Sequence, residues 1–292
     1  MKPPQLFLLA LSLLIFGCNK KASSTEPTDE KLADISFRSA SQPCADIVVT
    51  LPEQHAPSFR ALLPEEVTGC PHKGYFHTNP VEWKSGEHGS WSGMIKFEGY
   101  GLILISLVPR DYYVEIIWTL ENLSTEPLKR TVLNFCFNVN NGGGGWANRE
   151  FLPKSGLDRT EDGEYWHSRV ARGGAYVHSG GSWTNDPGAT PDASVLVVAN
   201  EAKDRYAFQM WDHPVEGGGI NNGNACMHLQ PVLCESLGVG EKAVIRGRMG
   251  INPEGLAQVW HLYKSLTEIS KQATAEDDAQ QGAPTDADKP RR

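Results

Sequence analysis

Two short stretches concentrate side chains able to move protons. Trp211-Asp212-His213-Pro214 closes one apolar run, and Asn224-Ala225-Cys226-Met227-His228-Leu229-Gln230-Pro231 opens another. A histidine titrates near neutral pH and can act there as acid or base. His213 and His228 are therefore the candidate catalytic residues, and they would approach each other if their strands were neighbours. A lone histidine is more often a satisfied structural group, so residue type alone leaves both readings open. Glycoside hydrolysis needs two carboxylates facing across a cleft. Glu115, Glu121, Asp212 and Glu235 are the candidates, and linear order does not pair them.

Three glycine-rich segments follow a different logic: Asn141 to Asn148 around Trp146, Ser179 to Asp186 around Trp183, and Glu216 to Asn224. None lies between a strand and a helix in the way that cradles phosphate, which argues against a nucleotide loop. A flat aromatic ring beside amides suits a sugar, whose apolar C–H face stacks while its hydroxyls are hydrogen-bonded. Trp146, Trp183, Trp211 and Asn224 are accordingly the candidate substrate-binding residues. In the competing reading the glycines only make turns and the tryptophans fill the core. No Gly-x-Ser-x-Gly elbow is present, which disfavours a serine hydrolase.

His167, His178, His213, His228 and the cysteines include ligand types that suit zinc, but no Cys-x-x-Cys or His-x-x-x-His spacing appears. Asp186, Asp192 and Asn221–Asn224 form no ordered calcium loop. No metal site and no cofactor is expected. Apart from Cys18, the cysteines are Cys44, Cys70, Cys136, Cys226 and Cys234, an odd set that leaves one thiol over unless a partner chain supplies another. Proximity suggests Cys44 with Cys70 and Cys226 with Cys234, with Cys136 as a small buried hydrophobe. Several reduced buried cysteines would fit as well, since sequence does not fix pairing.

The elements that must position these groups read mainly as strands. Ile103 to Val108 is a short apolar run stopped by Pro109. From Tyr112 to Glu121, Val114, Ile116, Trp118 and Leu120 share one face. From Thr131 to Val139, Leu133, Phe135, Phe137 and Val139 face one way, and Asn134 and Asn138 the other. Val195–Ala199 and Tyr206–Trp211 read as a hairpin, and Lys242–Ile251 as a further strand. One helix is marked. Asn252 can cap it, Pro253 suits its first position, and Leu256, Val259, Trp260, Tyr263 and Leu266 recur at helical spacing. Period-two strands with one helix predict an all-β protein, an antiparallel β-sandwich with a C-terminal helix. The net charge of −8 and pI of about 5.6 give no electrostatic footprint for nucleic acid.

The ends read differently. Lys2, the mostly apolar run Leu6–Phe16 and Ile15-Phe16-Gly17-Cys18 resemble a bacterial lipoprotein signal with its lipobox. The run is too short to span a bilayer. That resemblance implies a signal peptide over residues 1–17, cleavage before Cys18, and lipidation of Cys18 with acyl chains such as palmitate. The protein would then be exported and tethered to the membrane of the cell envelope. Asn19, where an aspartate would signal inner-membrane retention, favours the outer membrane. Residues 18–31 are polar and aperiodic and read as a flexible tether. The folded domain is expected over 32–270. Residues 271–292 carry no apolar side chain larger than alanine and read as a disordered tail.

A second resemblance concerns the body of the chain. It rests on the turn Asn122-Leu123-Ser124-Thr125-Glu126-Pro127 after a strand, on Cys136 in the next strand, and on the Trp211 strand. Asn224 to Pro231, and Gly240-Glu241 before the last long strand, complete it. From about residue 90 to 270 the sequence resembles exported proteins with a galactose-mutarotase-like super-sandwich. The resemblance implies a sugar-binding cleft on a concave sheet. It also implies a histidine–carboxylate pair that opens and closes the sugar ring. His228 is the positional candidate for the acid, and no carboxylate maps to the base. Two functions follow. The first is a lipid-anchored exported protein that binds or processes carbohydrate. The alternative is a non-catalytic envelope protein that presents its sandwich to a protein partner.

Overall fold

The computed structural model describes residues 32–39, 43–52, 58–69, 76–139, 150–151, 194–200, 202, 204–221 and 226–281. Cys18, Cys70, Trp146, His167, His178, Trp183, Asp186, Asp192 and Asn224 lie outside them, as do the signal segment and tether. In chain order the strands are β1 (Asp34–Phe37), β2 (Asp46–Thr50), β3 (Phe59–Val67), β4 (Glu82–Ser85), β5 (Trp91–Phe97), β6 (Gly101–Pro109) and β7 (Tyr113–Asn122). They continue as β8 (Leu128–Asn138), β9 (Glu150–Phe151), β10 (Val195–Ala199), β11 (Tyr206–Trp211), β12 (Val215–Asn221), β13 (Cys226–Leu237) and β14 (Lys242–Asn252), followed by one helix, α1 (Leu256–Gln281).

The strands form two sheets, both antiparallel throughout. One has six strands in the order β1-β2-β3-β8-β13-β12, and the other eight in the order β4-β5-β6-β7-β14-β11-β10-β9. Alternation along each strand explains the layering. In β7, Val114, Ile116, Trp118 and Leu120 are buried, and in β8 Leu133, Phe135 and Phe137 are buried; all belong to one apolar core between the sheets. Phe135 from the six-stranded sheet stacks on Trp211 from the eight-stranded sheet, ring centroids 3.8 Å apart. The architecture is the antiparallel β-sandwich with a C-terminal helix that the period-two pattern predicts.

Two glycines make close approaches possible. Gly247 on β14 pairs with Trp211 on β11, and a Cβ there would stand 2.3 Å from the Trp211 ring. Gly250 lies against the backbone of Tyr112, where a Cβ would meet its carbonyl oxygen at 2.4 Å. The two sheets are also tied at one end by the buried Asn122. Its amide donates to the carbonyl of Leu237 on β13 at 2.9 Å and to that of Glu126 at 3.0 Å. The amide oxygen accepts from the backbone N–H of Ser124 at 2.9 Å.

The helix differs from its expected start. Asn252 does not cap it directly. Its side chain accepts from the backbone N–H groups of Glu254 and Gly255 in a turn, and Gly255 then reverses the chain at φ 103°. The helix begins only at Leu256, so Pro253 lies outside it. A left-handed glycine cannot be part of a helix, and that moves the boundary. Val259 and Leu266 are buried against Tyr112, Val195, Val197, Phe208 and Met210, so α1 covers the outer face of the eight-stranded sheet. The helix continues to Gln281, beyond the expected boundary at 270. Residues 271–281 hold three alanines and three glutamines, good helix formers that need no apolar face to extend an existing helix. Among the described residues, no helix is long and apolar enough to cross a membrane.

Candidate functional site

The two candidate histidines are not brought together. His213 follows β11 of the eight-stranded sheet, whereas His228 lies on β13 of the six-stranded sheet. Their strands are not neighbours, so the condition under which the two would meet is not fulfilled. His213 Nδ1 stands 2.7 Å from Asp212 Oδ1. The Asp212 carboxylate is buried and also accepts from the Arg246 backbone N–H at 2.9 Å and from the Ser270 hydroxyl of α1. With its carboxylate held from three directions, this pair joins the helix to the end of β11.

Trp211 is corrected as well. Its side chain is fully buried and stacked on Phe135, so neither face of its ring is available to a sugar. The sequence pattern placed it on a strand, and the inward side of that strand belongs to the core. The proposed Cys226–Cys234 pair also fails. Both thiols are free and lie eight positions apart on β13, and a strand rises roughly 3.3 Å per residue. Cys44 and Cys136 are free too. Among the carboxylates singled out from sequence, Glu115 pairs with Arg110 at 2.6 Å and Arg248 at 3.1 Å. Glu121 pairs with Lys242 at 3.3 Å, and Glu235 with Arg130 at 3.1 Å.

His228 has a different setting. Strand alternation sends Met227 and Leu229 into the core and turns Cys226 and His228 to the opposite face of the six-stranded sheet. The register does the same in β8, where Asn134, Cys136 and Asn138 lie opposite the core. His228 pairs with Cys136 and Cys226 with Asn138. On the other side of β8, β3 pairs Leu62 with Cys136 and Arg60 with Asn138. Arg60 makes a two-pronged bond to Asp46 of β2, with Nε and Nη2 at 2.7 and 2.6 Å from the carboxylate oxygens. This outer face is not a solvated one at its centre. Cys136 is 3% exposed, His228 4% and Asn134 6%.

A carboxylate that sequence reasoning missed completes the group. Glu65 Oε2 lies 3.5 Å from His228 Nδ1. Burial pushes the Glu65 carboxyl up, against the opposite pull of His228. Glu65 belongs to the stretch Leu62-Leu63-Pro64-Glu65-Glu66, where β3 is irregular against β8. An internal proline argues against a strand when read from sequence, and a bulge is the place where a sheet tolerates one. The one available signal was the short alternation Phe59-Arg60-Ala61 ahead of it.

Sulfur adds a second chemistry. The donor atoms of Cys136, Cys226 and His228 all lie within 4.8 Å of one another. Asn138 Nδ2 donates to Cys226 Sγ at 3.1 Å. Hydrogen bonding from the Cys136 thiol, with further help from His228 and Asn138, outweighs burial and pulls the Cys226 thiol down to about 4. The same contact, with burial, holds Cys136 as a thiol well above its ordinary range. Linear spacing gave no warning of a ligand cluster here, because two of its members are Cys-x-His on one strand and the third comes from the neighbour.

The Asn134 amide oxygen is buried and makes no hydrogen bond among the described residues. A buried acceptor left unpaired costs roughly 1–3 kcal/mol, which a ligand hydroxyl would recover. The surface clefts found elsewhere, about 340 Å³ beside Ser124, Glu126 and Lys129 and about 460 Å³ beside Arg130, Glu216 and Glu235, do not reach His228.

No family model and no curated protein matches this sequence. Solved structures are similar in shape. A galactose mutarotase-like protein from Clostridium acetobutylicum aligns at TM-score 0.42 and 9% identity, covering 72% of this chain and 86% of that one. One from Lactobacillus casei aligns at TM-score 0.42 and 11% identity, covering 77% and 98%. A galactose mutarotase related enzyme from Lactobacillus acidophilus aligns at TM-score 0.39 and 10% identity, covering 73% and 97%. At these scores the likenesses assign neither a family nor an activity, and the sandwich rests on the strand pairing itself.

Proposed function

We propose that this protein binds or processes carbohydrate on the outer face of its six-stranded sheet, with His228 and Glu65 as the acid–base pair. The observation that carries this reading is the convergence there of a histidine and a carboxylate 3.5 Å apart. Beside them stand the unpaired amide oxygen of Asn134 and the Arg60–Asp46 pair. A sugar hydroxyl is both donor and acceptor, and a face that offers an amide oxygen, a guanidinium and carboxylates can satisfy both roles. An imidazole next to a carboxylate can deliver or take the proton that ring opening requires. The reading includes the anchor: an exported protein held to the cell envelope through acyl chains on Cys18.

The test is the thermal stability of the full-length protein against a panel of mono- and oligosaccharides, with polarimetry of aldose ring opening for any sugar that binds. A ligand at a hundredfold excess over its dissociation constant stabilises by about 2.7 kcal/mol. One sugar class is expected to raise the melting temperature in the native protein and not in a folded Glu65→Gln variant. No shift with any sugar overturns the reading and favours a sandwich that serves a protein partner. A shift without faster ring opening leaves a binding protein and removes the acid–base role.

A further inference from the structure

The geometry points to a zinc site formed by Cys136, Cys226 and His228. This goes beyond the carbohydrate reading and does not rest on it. The three side chains come from two neighbouring strands whose register puts them on one face, and their donor atoms already lie within 4.8 Å of one another. Tetrahedral zinc, with bonds of about 2.3 Å to sulfur and about 2.0 Å to nitrogen, sets ligand atoms roughly 3.5–3.8 Å apart. Small side-chain rotations close the difference without moving the sheet. Two sulfurs and an imidazole form the donor set of a zinc centre with an open fourth position. Such a set also disfavours calcium and magnesium, which take oxygen.

The surroundings match what a metal-bound histidine needs. Its second ring nitrogen is normally held by a carboxylate or carbonyl, which fixes the ring and strengthens the ligand. His228 Nδ1 faces the Glu65 carboxylate at 3.5 Å, which leaves Nε2 for the ion. Asn138 donates to the Cys226 sulfur at 3.1 Å, the usual support of a metal thiolate. Cys136 and His228 are almost wholly buried, so the group is shielded from solvent, while half-buried Cys226 stands nearest the way in. Binding forms two Zn–S bonds and one Zn–N bond and releases to solvent the protons the thiols still hold. With zinc in place both nitrogens of His228 are engaged, so the acid–base role proposed above belongs to the metal-free protein. Water or a ligand hydroxyl would take the fourth position.

The experiment is titration of the full-length protein, purified under reducing conditions, with zinc and with cobalt(II) as a spectroscopic probe. One equivalent of cobalt is expected to give the intense visible bands of a tetrahedral ion together with a near-ultraviolet sulfur-to-cobalt band, both bleached by zinc. Cys136→Ser and Cys226→Ser should lose the sulfur band, while Cys44→Ser and Cys234→Ser should keep it. Glu65→Gln, which removes no ligand, should weaken zinc about 10–100-fold and keep the tetrahedral spectrum. This variant serves even where the buried serine substitutions fail to fold. Absence of a one-equivalent endpoint overturns the site. So does a cobalt spectrum without sulfur character, or a spectrum lost equally in the Cys44 and Cys234 variants. A sugar response that survives stripping of metal leaves the histidine–carboxylate reading standing alone, and a zinc site without any sugar response does the reverse.

Discussion

Trp211 separates a core role from a sugar platform by energetics. Its ring is fully buried, stacks 3.8 Å from Phe135, and lies over Gly247 of the paired strand. Trp211→Ala empties that volume between the sheets, and such truncations cost about 3–5 kcal/mol. For a domain of this size about 2–4 °C of melting temperature is lost per kcal/mol, so the expected drop is roughly 6–20 °C. Trp211→Phe should cost much less. It keeps an aromatic ring against Phe135 and deletes an indole N–H that is buried without a hydrogen-bond partner, a group whose burial itself costs about 1–3 kcal/mol. The neighbouring glycine supplies a sharper test. A Cβ on Gly247 would meet two atoms of the six-membered part of the indole at 2.3 Å, so Gly247→Ala should cost about 1–3 kcal/mol or more by overpacking. In the Trp211→Phe background part of that clash is gone, leaving the approach to the Met210 carbonyl oxygen at 2.8 Å. The double variant should therefore be more stable than the sum of the single costs, with a coupling of about 0.5–3 kcal/mol. Urea denaturation of the four proteins measures it. A Trp211→Ala protein that melts within about 2 °C of the parent, less than a single kcal/mol would give, refutes the core assignment. Additive costs in the cycle refute the contact with Gly247.

Two further predictions address pH and export. Burial lowers the pKa of His77, partly offset by Asp46 and by a bond to the Glu65 backbone, with Arg60 and Arg38 adding to the lowering. The unfolded chain then takes up its proton first, so His77 subtracts stability as pH falls below about 6.5 and has no effect above it. The stability profile of His77→Gln should be flatter below about pH 6.5, and equal slopes in the two proteins would sink the argument. Labelled palmitate fed to cells expressing the full chain should enter the native protein and not Cys18→Ser. Equal labelling of both would remove the anchor at that residue.

The sandwich was legible because its strands bury one face at a time. Val114 to Leu120 and Leu133 to Phe137 carry apolar residues at a period of two, and those stretches form β7 and β8, one in each sheet. The first five strands were not read: β1 and β4 have four residues each, and β3 is interrupted by Pro64. The helix was read from its apolar spacing, but its start was not. Gly255 has positive φ, and no pattern in the sequence distinguishes that from an ordinary N-terminal turn.

The site was half legible for a different reason. His228 could be singled out by type, whereas its partners depend on register. Glu65 reaches it only because β3 runs beside β8 with an irregularity between Leu62 and Glu66, and Cys136 only because β13 pairs His228 directly with it. In a sheet, a slip of one residue exchanges the two faces. Slipped by one, β13 would turn Cys226 and His228 inward among Phe135 and Phe137 and expose Met227 and Leu229. The apolar residues that hold the register through the core therefore also decide that the chemistry lies outside it. That is why Cys136, read alone, looked like a small hydrophobe: its burial is real, but it faces a histidine and a second sulfur rather than the core.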